Sequence, residues 1–424
     1  MNLNLKLVCE VCDNPVALKV YGGYEKINTF SYTCPECGIT IHGHLTWNDP
    51  EKLKDSFIKE FECYNATSVT PIGGESHLLQ IATEFYSDKI KKLETKDPSI
   101  FFSPFMMERI PFELKQKKLA LIQHVTDNFK NEYKIATRLW QLFRNKNFKY
   151  LNRQLIANKF VEPVILGQTL NIKYSSIMLD VLYYPFTLFI QVSEFNKKIF
   201  DLRNQLLDIQ RKNKDELLNL KKELEVLINY SEEELIHLLN NFSKYYKFIW
   251  PVILSTALKT ENIQNIKESK GILTASFEDL KNYYVEAFEI LCSVLPVFLG
   301  IQNIKLRDDR NKFNDKNKND FPHINSIIKY KEKVLNKGNK IKFFEEENIF
   351  SECFNIRTVL NSGIRNSIGH HSYINKNDSQ LIIFLDRNKK TELYLIEFSE
   401  LLLKTFFSTF VGIEVLHFLK NLED

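Results

Sequence analysis

Glycine and proline are scarce in this chain, with 13 Gly and 12 Pro among 424 residues. That scarcity excludes a chain dominated by low-complexity tracts and predicts that most of it is folded. Hydrophobic residues make up 44% and charged residues 26%, the ordinary range of globular proteins. Because this length exceeds what one hydrophobic core usually supports, two or three domains are expected.

A strong net charge is also lacking. The 57 basic and 53 acidic residues leave a formal charge of +4, so no global field points to a nucleic-acid partner, although a local basic patch stays open. The sequence contains no GxxxxGK[ST] phosphate loop and no acidic cluster beside its C-terminal histidines. An NTP-driven or metal-dependent nuclease is therefore disfavoured.

The first residues, "MNLNLKLVCEVC", lack the basic and apolar regions of a signal peptide. The apolar stretches 181–192 and 290–301 contain proline and are shorter than a membrane span, and 401–419 carries charged residues. All three are predicted to be buried core helices, with no membrane contact. Four of the seven cysteines occur in CxxC pairs that suit a metal better than disulfides, so a reducing cytoplasm is the expected location.

Residues 1–50 differ from the rest of the chain. β-Branched and aromatic runs alternate with period two, and Gly22-Gly23 marks a turn, which predicts a small antiparallel sheet. Zn²⁺ favours four thiolates in a tetrahedron and each CxxC turn presents two of them, so a structural zinc ribbon is predicted. Two redox dithiols are the weaker alternative, because neither pair opens a helix in a βαβ unit. The predicted ligands are Cys9, Cys12, Cys34 and Cys37.

Two histidines, His42 and His44, alternate on one face of the last strand of this region. They could be extra ligands or nucleic-acid contacts. Solvated strand residues are the favoured interpretation, because four cysteines already complete a closed zinc site.

Residues 51–270 are predicted to form a helical region. Apolar residues recur at three- and four-residue steps in segments 76–93 and 137–156. Segment 143–153, "FRNKNFKYLNR", places basic residues among aromatics. It could bind RNA, while a solvated helix face or loop is the favoured interpretation.

Residues 194–230 are predicted to form one long helix within this region. Two apolar stripes are offset by the eleven residues from Leu206 to Leu217, which is typical of a coiled-coil stutter. An antiparallel hairpin or dimer arm, and a long amphipathic helix lying on its own domain, fit the pattern equally well. The stripes are Ile199, Leu202, Leu206 and Ile209, then Leu217, Leu220, Leu224 and Leu227.

Gly271 breaks the helical pattern and opens the last region, 271–424. Ser276 followed by acidic residues predicts a helix start, and that helix is expected to end at Gly300. Residues 307–320 are predicted to be an exposed loop. The remaining elements are helices at 322–336 and 346–368, two strands within 379–398 joined by "DRNKK", and an apolar helix at 398–421. The chain as a whole is predicted to be mainly α.

A polar constellation lies near the end of the helix predicted over 346–368. Arg357, Asn361 and Arg365 are spaced four apart and are expected to share one helix face. Gly369 suits the helix end, which puts His370 and the residue after it at the mouth of a bundle.

The run R-N-x3-H, followed by a strand pair and an apolar helix, resembles the HEPN superfamily, whose nuclease members carry an R-x4–6-H motif. The matched residues are Arg365, Asn366 and His370, with His371 as the alternative histidine. The resemblance covers the C-terminal region and not the N-terminal two thirds. Its motif is short, so it is carried by the motif together with the order of elements.

The resemblance implies a four-to-five-helix bundle that dimerises so that two motifs form one cleft, and an endoribonuclease that needs no catalytic metal. Arg365 would stabilise the charge that develops on phosphorus, and His370 would activate the ribose 2′-OH or protonate the leaving oxygen. Asn366 would position the histidine. Since the chain has one motif, catalysis would require a homodimer.

The implied role is a bacterial toxin or anti-phage abortive-infection effector whose substrate is RNA. The zinc ribbon and the helical middle region would then sense a phage-derived trigger or a protein regulator, or recruit substrate. This role comes from the resemblance alone.

Two alternatives stay open. Arg365 could simply stabilise a helix C-terminus beside a solvated His370, in a non-catalytic scaffold that binds RNA or a protein partner. Tyr373 resembles the H-x-Y extension of HEPN toxins that have nucleotidyltransferase partners. A packed tyrosine with its hydroxyl bonded is the first interpretation of that residue.

Overall fold

The computed structural model of the chain describes residues 2–21, 27–48, 58–69, 74, 77–82, 85–92, 129, 131–161, 171–187, 194–258 and 262–423. Within these residues the protein is mainly α-helical, as predicted. Most of its strands lie in the first 92 residues, and a three-stranded sheet lies near the C-terminus.

The N-terminal strands form two sheets that share one apolar core. In the first sheet, of order β6-β1-β2-β7-β9, β1 pairs antiparallel with β2 and β2 pairs parallel with β7. The second sheet, of order β3-β4-β5, is antiparallel throughout. The strands are β1 (Asn2–Cys9), β2 (Pro15–Tyr21), β3 (Ile27–Thr33), β4 (Thr40–Trp47), β5 (Ile58–Tyr64), β6 (Ala66–Val69), β7 (His77–Ala82), β8 (Ser87–Asp88) and β9 (Lys91–Lys92).

The β region therefore extends past residue 50, where a helical region was expected. The prediction of a helix over 76–93 is wrong, because His77–Ala82 is strand β7. All six residues of β7 are buried, and a short, largely apolar segment fits a doubly buried strand as well as a helix. Its parallel pairing with β2, which the local sequence does not show, decides the conformation.

Three helices connect this β region to the main helical core. They are α1 (131–144), α2 (Phe148–Ala157) and α3 (Asn171–Tyr183). The helix predicted over 137–156 is divided at Lys146, whose φ is 52°. Phe148 of α2 packs on Tyr174 of α3, with ring centroids 5.1 Å apart, so α2 is held against α3.

Four long helices form the main core. Helix α8 packs against α5 and α14, and α4 packs against α8 and α14. Phe242 of α5 stacks on Phe406 of α14 with ring centroids 3.8 Å apart. These helices, with the short ones between them, are α4 (Phe195–Glu223), α5 (Glu225–Tyr245), α6 (Trp250–Leu258), α7 (Ile263–Ile266), α8 (Phe277–Arg307) and α14 (Leu395–Lys420).

The helix predicted over 194–230 is interrupted. Helix α4 has non-helical dihedral angles at Asn213, between the two predicted stripes, and α5 starts after a break at Leu224. The stripe residues of α4 are buried inside the chain, where α4 contacts α8 and α14. This burial agrees with the interpretation of an amphipathic segment that lies on its own domain.

Helix α8 begins where the sequence predicted but ends later than predicted. Its start at Ser276 is confirmed, since Ser276 and Asp279 form a reciprocal capping box. Its predicted end at Gly300 is wrong, because the helix continues to Arg307. A Cβ at Gly300 would overlap the side chain of Leu220, so this glycine permits close packing of α8 on α4.

Short helices fill the chain between α8 and the C-terminal sheet. They are α9 (Asp315–Asp320), α10 (Ile327–Lys333), α11 (Lys337–Lys342), α12 (Ile356–Val359) and α13 (Ser362–Gly369). Each is preceded by a serine or asparagine whose side chain accepts a backbone N–H of the first turn. Helix α10 is shorter than the predicted 322–336, and α9 lies in the predicted loop 307–320.

The single helix predicted over 346–368 is wrong. Asn361 ends the preceding turn and caps α13 by accepting the N–H groups of Gly363 and Ile364. Arg357 therefore lies on α12 and donates to the carbonyl of Phe344 at 2.6 Å, so it does not share a helix face with Arg365.

The C-terminal strand pair is confirmed and gains a third strand. The sheet has the order β11-β12-β13, formed by β11 (Tyr373–Lys376), β12 (Leu381–Asp386) and β13 (Lys389–Tyr394); β10 (Lys270–Gly271) pairs with β8. Helix α13 packs against β12 and α8. The final helix, α14, matches the predicted apolar helix.

In the described part of the chain, α8 and α14 are the two helices long and apolar enough to cross a membrane. Within the apolar window of each, 78% of the residues are buried inside the protein. This agrees with the core helices predicted at 290–301 and 401–419. Residues 181–187 belong to α3 and a short 3₁₀ turn, and the rest of that stretch lies outside the described residues.

The N-terminal sheets rest on the C-terminal region. Ser31 N–H donates to the carbonyl of Leu273 at 2.8 Å, and the Thr29 hydroxyl donates to the carbonyl of Thr274 at 2.7 Å. Asn377, after β11, donates to the Thr40 hydroxyl at 3.0 Å. The segment before α8 and the loop after β11 thus form hydrogen bonds with the second sheet, β3-β4-β5.

Candidate functional sites

The four cysteines of the two CxxC pairs lie together, with all Sγ atoms within 4.8 Å of one another. Cys9 and Cys37 sulfurs are 3.7 Å apart, and those of Cys12 and Cys34 are 3.6 Å apart. A tetrahedron with Zn–S bonds of ~2.3 Å has sulfur–sulfur distances of roughly 3.8 Å, so the thiols fit a zinc ion. Disulfides, with S–S bonds of ~2.05 Å, are absent from these described cysteines.

The two CxxC turns have matching backbones. Asp13 N–H donates to the carbonyl of Cys9 and Gly38 N–H donates to that of Cys34. Both donors are in the left-handed region, with φ of 58° and 76°. Each turn follows one strand and leads into the next, so β1 and β3 deliver the first cysteine of each pair. The sequence spacing predicted this convergence.

His42 and His44 are not part of the cysteine cluster. His42 stacks on Tyr64 of β5, with ring centroids 5.0 Å apart, and His44 Nδ1 lies 3.9 Å from a Glu62 carboxylate oxygen. His44 also groups with Glu60, and both acids are exposed. The interpretation of these histidines as strand residues at the surface agrees with these contacts.

At the second candidate site, Arg365 is held by an acidic residue of α8. Arg365 Nε donates to Glu289 Oε1 at 2.7 Å, and Lys337, at the start of α11, pairs with the other oxygen of Glu289. Glu289 thus lies between two cations. Burial, reinforced by the charges of Arg365 and Lys340, lowers the pKa of Lys337.

The guanidinium of Arg365 lies beside the C-terminal end of α13. Its Nη1 is 3.5 Å from the Asn366 side-chain oxygen and 3.5 Å from where a Cβ on Gly369 would lie. Among the described residues, no hydrogen bond to its Nη2 is present. A phosphate oxygen could therefore bind this nitrogen while Glu289 keeps the group oriented.

The two histidines follow at the end of α13. His370 is the C-cap residue and His371 has a φ of 53°, and both are exposed. Neither imidazole has a hydrogen bond to any described residue. Asn366 donates to Asp386 at 3.4 Å, which ties α13 to the end of β12. The four residues that the sequence predicted as catalytic thus lie at the C-terminal end of α13, which faces solvent; they are Arg365, Asn366, His370 and His371.

Tyr373 is anchored away from the histidines. Its hydroxyl donates to Glu278 at 2.9 Å and accepts from Lys281 at 2.8 Å. Its ring packs edge-on against Phe277. These contacts agree with the packed tyrosine that was the first interpretation.

Sequence reasoning missed Glu289, Lys337 and Asp386. Glu289 had a detectable signal, because it is an acid within the apolar run "AFEILCSVLPVF" of a core helix. Lys337 and Asp386 had none, since they come from separate elements that only the fold brings to α13.

A groove of 740 Å³ lies between the second N-terminal sheet and the C-terminal region. Its walls combine His42, Tyr64 and hydroxyl side chains of β3 and β4 with Asn375, Asn377 and the start of α8. The groove is a second place where a ligand could be held by aromatic and amide groups.

Comparison with protein-family models, with curated protein sequences and with solved structures finds no match to this chain.

Proposed function

We propose that this chain is a metal-independent HEPN-type endoribonuclease, acting in the cytoplasm as a bacterial toxin or anti-phage abortive-infection effector. The observation that carries the proposal is the placement of Arg365. Its guanidinium is oriented by Glu289 toward the solvent-exposed end of α13 that also bears His370. A permanent cation and a titratable imidazole at one exposed helix end are the groups that RNA transesterification needs.

In the proposed reaction, His370 accepts the proton of a ribose 2′-OH as O2′ attacks phosphorus. The P–O5′ bond breaks, and a second imidazole, from His371 or from another copy of the chain, protonates the departing O5′. The products are a 2′,3′-cyclic phosphate and a 5′-hydroxyl. Arg365 stabilises the additional negative charge on the phosphate oxygens, and Asn366, tied to Asp386, keeps α13 in place.

A homodimer is part of the proposal, and two exposed leucines support it. Leu335 is 81% exposed and lies two residues before Lys337, and Leu385 is 38% exposed beside Asp386. Both neighbours belong to the cluster around Arg365. Apolar side chains at the rim of a polar site favour a second copy covering that rim.

We further propose that one Zn²⁺ stabilises the N-terminal sheets. The four thiols of the cysteine cluster would hold it, and the bound ion would supply folding free energy, with no part in RNA cleavage.

The test is an RNA-integrity assay in cells and with purified protein, comparing wild type with Arg365→Ala, His370→Ala and His371→Ala. Matched controls are Arg211→Ala, on α4, and His323→Ala, in the turn between α9 and α10, which remove exposed residues. We expect cleavage to fall by at least about a hundredfold in Arg365→Ala and in one histidine variant. Analytical ultracentrifugation checks that every variant keeps the mass of the wild-type assembly.

The second candidate is a non-catalytic scaffold that binds RNA or a protein partner. The ion pair of Arg365 with Glu289 and the groove beside His42 favour it, because a structural arginine and a separate binding groove need no chemistry. RNA that stays intact with every protein, including wild type after phage challenge, would reject the nuclease and make the scaffold the better candidate.

A further inference from the structure

Helix α2 presents a face of one charge sign. Residues 133–161 contain seven basic residues and no Asp or Glu. This stretch is strongly basic in a chain whose formal net charge is only +4. The seven are Lys134, Arg138, Arg144, Lys146, Lys149, Arg153 and Lys159.

All seven of these cations are exposed in the fold. Leu151 and Leu155 are the buried residues of α2, and the opposite face exposes Lys149, Tyr150 and Arg153. Arg153 follows Lys149 by four positions and Tyr150 by three, so both residues neighbour Arg153 on the exposed side of the helix. Lys146 and Lys159, in the turns before and after α2, are also exposed and extend the row.

Most of this row is not neutralised within the described part of the chain. Lys146, Lys149, Arg153 and Lys159 have no ion pair with a described residue. Arg144, at the end of α1, is the exception, because Glu233 of α5 pairs with it. The face is therefore a row of four uncompensated cations with an exposed aromatic ring, Tyr150, at 53% exposure.

We infer that the exposed face of α2, with its two flanking lysines, binds the phosphate backbone of single-stranded RNA. The inference deepens the proposed nuclease function by assigning a substrate-binding surface, and for its biological meaning it rests on that proposal. Cations in a row follow a phosphate backbone, and an exposed tyrosine offers a face on which a base stacks without sequence preference. Substrate held on α2 raises the local concentration of RNA at the chain that carries α13.

The test measures binding separately from cleavage. Zinc-loaded full-length protein carrying His370→Ala is titrated into a fluorescently labelled, unstructured oligouridine, and anisotropy is followed at several salt concentrations. The test variant adds Lys149→Glu and Arg153→Glu. The charge-matched control adds Lys212→Glu and Lys214→Glu on α4, two exposed lysines beside acidic residues. Circular dichroism checks that both variants fold.

We expect the α2 variant to lose at least about tenfold in affinity, and the salt dependence of log K to become shallower by roughly 1.4, or about 0.7 for each lost phosphate contact. The control should bind within about twofold of its parent. Neutral substitutions, Lys149→Gln with Arg153→Gln, should give an intermediate loss. Tyr150→Ala should weaken binding without changing the salt dependence, because stacking involves no counterion release.

Several results would overturn the inference. Equal losses of RNA affinity in the α2 variant and in the control would mean that only net charge matters. Unchanged affinity in both would show that α2 does not bind RNA. Binding of the parent to vesicles of phosphatidylserine, lost in the α2 variant, with no binding to oligouridine, would assign the face to a membrane instead. RNA binding through α2 with no cleavage by wild type would reject the nuclease and leave this inference standing.

Discussion

Arg365 shows how one side chain can be committed to structure and still be available for chemistry. Its Nε is bonded to Glu289 while Nη2 has no partner among the described residues. The paired carboxylate fixes the direction of the guanidinium, as a positioning residue does for an anion-binding arginine. Glu289 also separates Arg365 from Lys337, which would otherwise repel each other.

Replacing Glu289 with Gln should therefore affect activity through Arg365. We expect RNA cleavage to fall about tenfold or more, because the guanidinium loses its charged anchor and faces Lys337. Cleavage rates of E289Q and of Glu286→Gln, one turn earlier on α8, give the comparison. An E289Q rate equal to wild type would show that this ion pair does not orient the arginine for catalysis.

His417 of α14 is a titratable residue far along the chain from the histidines of α13. Burial lowers the pKa of His417 below the usual 6.5. The charge of Arg203 also lowers it, whereas Glu414 and Glu232 raise it. Its ring contacts Ser175 of α3 at 3.3 Å. A neutral imidazole thus joins α3 to α14.

This depressed pKa makes the folded state sensitive to acid. The unfolded chain takes up a proton at His417 more readily than the folded chain. The contribution of this residue is therefore complete above its unfolded-state pKa of about 6.5, and it is lost as the pH falls from there through the lower folded-state pKa. We expect the free energy of unfolding to decrease from about pH 7 to about pH 5.5, less steeply in His417→Gln. Urea unfolding at each pH measures this, and a His323→Gln slope that matches His417→Gln would contradict it.

At the scale of elements, helix packing depends on two glycines inside long helices, one of which, Gly300, was predicted to end its helix. Gly300 lies inside α8 against Leu220 of α4, and Gly412 lies inside α14 against Leu235 of α5. In each case a Cβ would meet a buried leucine. The glycines allow the four long helices to approach closely.

Gly300→Ala should destabilise the protein although alanine favours helix. Overpacking against Leu220 costs about 1–3 kcal/mol, which exceeds the gain of about 1 kcal/mol in helix propensity. Chemical denaturation of G300A beside Gly369→Ala, whose added Cβ meets no atom closer than 3.5 Å, is the measurement. A midpoint for G300A at or above wild type would show that Leu220 moves aside at no cost.

At the scale of the whole molecule, hydrogen bonds of both backbone and side chains join the N-terminal core to the C-terminal region. The N-terminal core includes Leu273, which lies just before α8, and Ser31 and Thr29 bond to the same segment. The loop after β11 contributes Asn377. The sheet that carries Cys34 and Cys37 is therefore hydrogen-bonded to the segment that leads into α8.

Zinc removal should unfold the N-terminal sheets and leave the helical core folded. Two sheets with this small core depend on the metal for stability, whereas the long helices have their own core. We expect one zinc per chain in wild type and in Cys63→Ser, and none in Cys34→Ser, whose circular dichroism should lose strand signal and keep helical signal. Metal analysis with full zinc retention in C34S would reject the tetrathiolate site.

Local sequence was sufficient where a signal and its structure lie within a few residues. The CxxC spacing predicted the cysteine cluster, Ser276 predicted the start of α8, and the final strand pair and α14 were predicted because turn residues and apolar periodicity are local properties. The same holds for the end of α13 after Gly369. In these cases backbone preference and side-chain periodicity agree with the final packing.

Tertiary structure decided what depends on partners distant in sequence. Segment 76–93 contains strand β7 because β7 pairs with β2. Helix α8 continues beyond Gly300, where the missing side chain leaves room for Leu220 of α4. Arg357 and Arg365 lie on different helices, because the Asn361 side chain caps the start of α13 between them. The partners of Arg365 come from α8 and α11, and the uncompensated face of α2 exists because Leu151 and Leu155 turn inward. Sequence fixes which groups a chain carries, but only packing determines which of them meet and which stay in water.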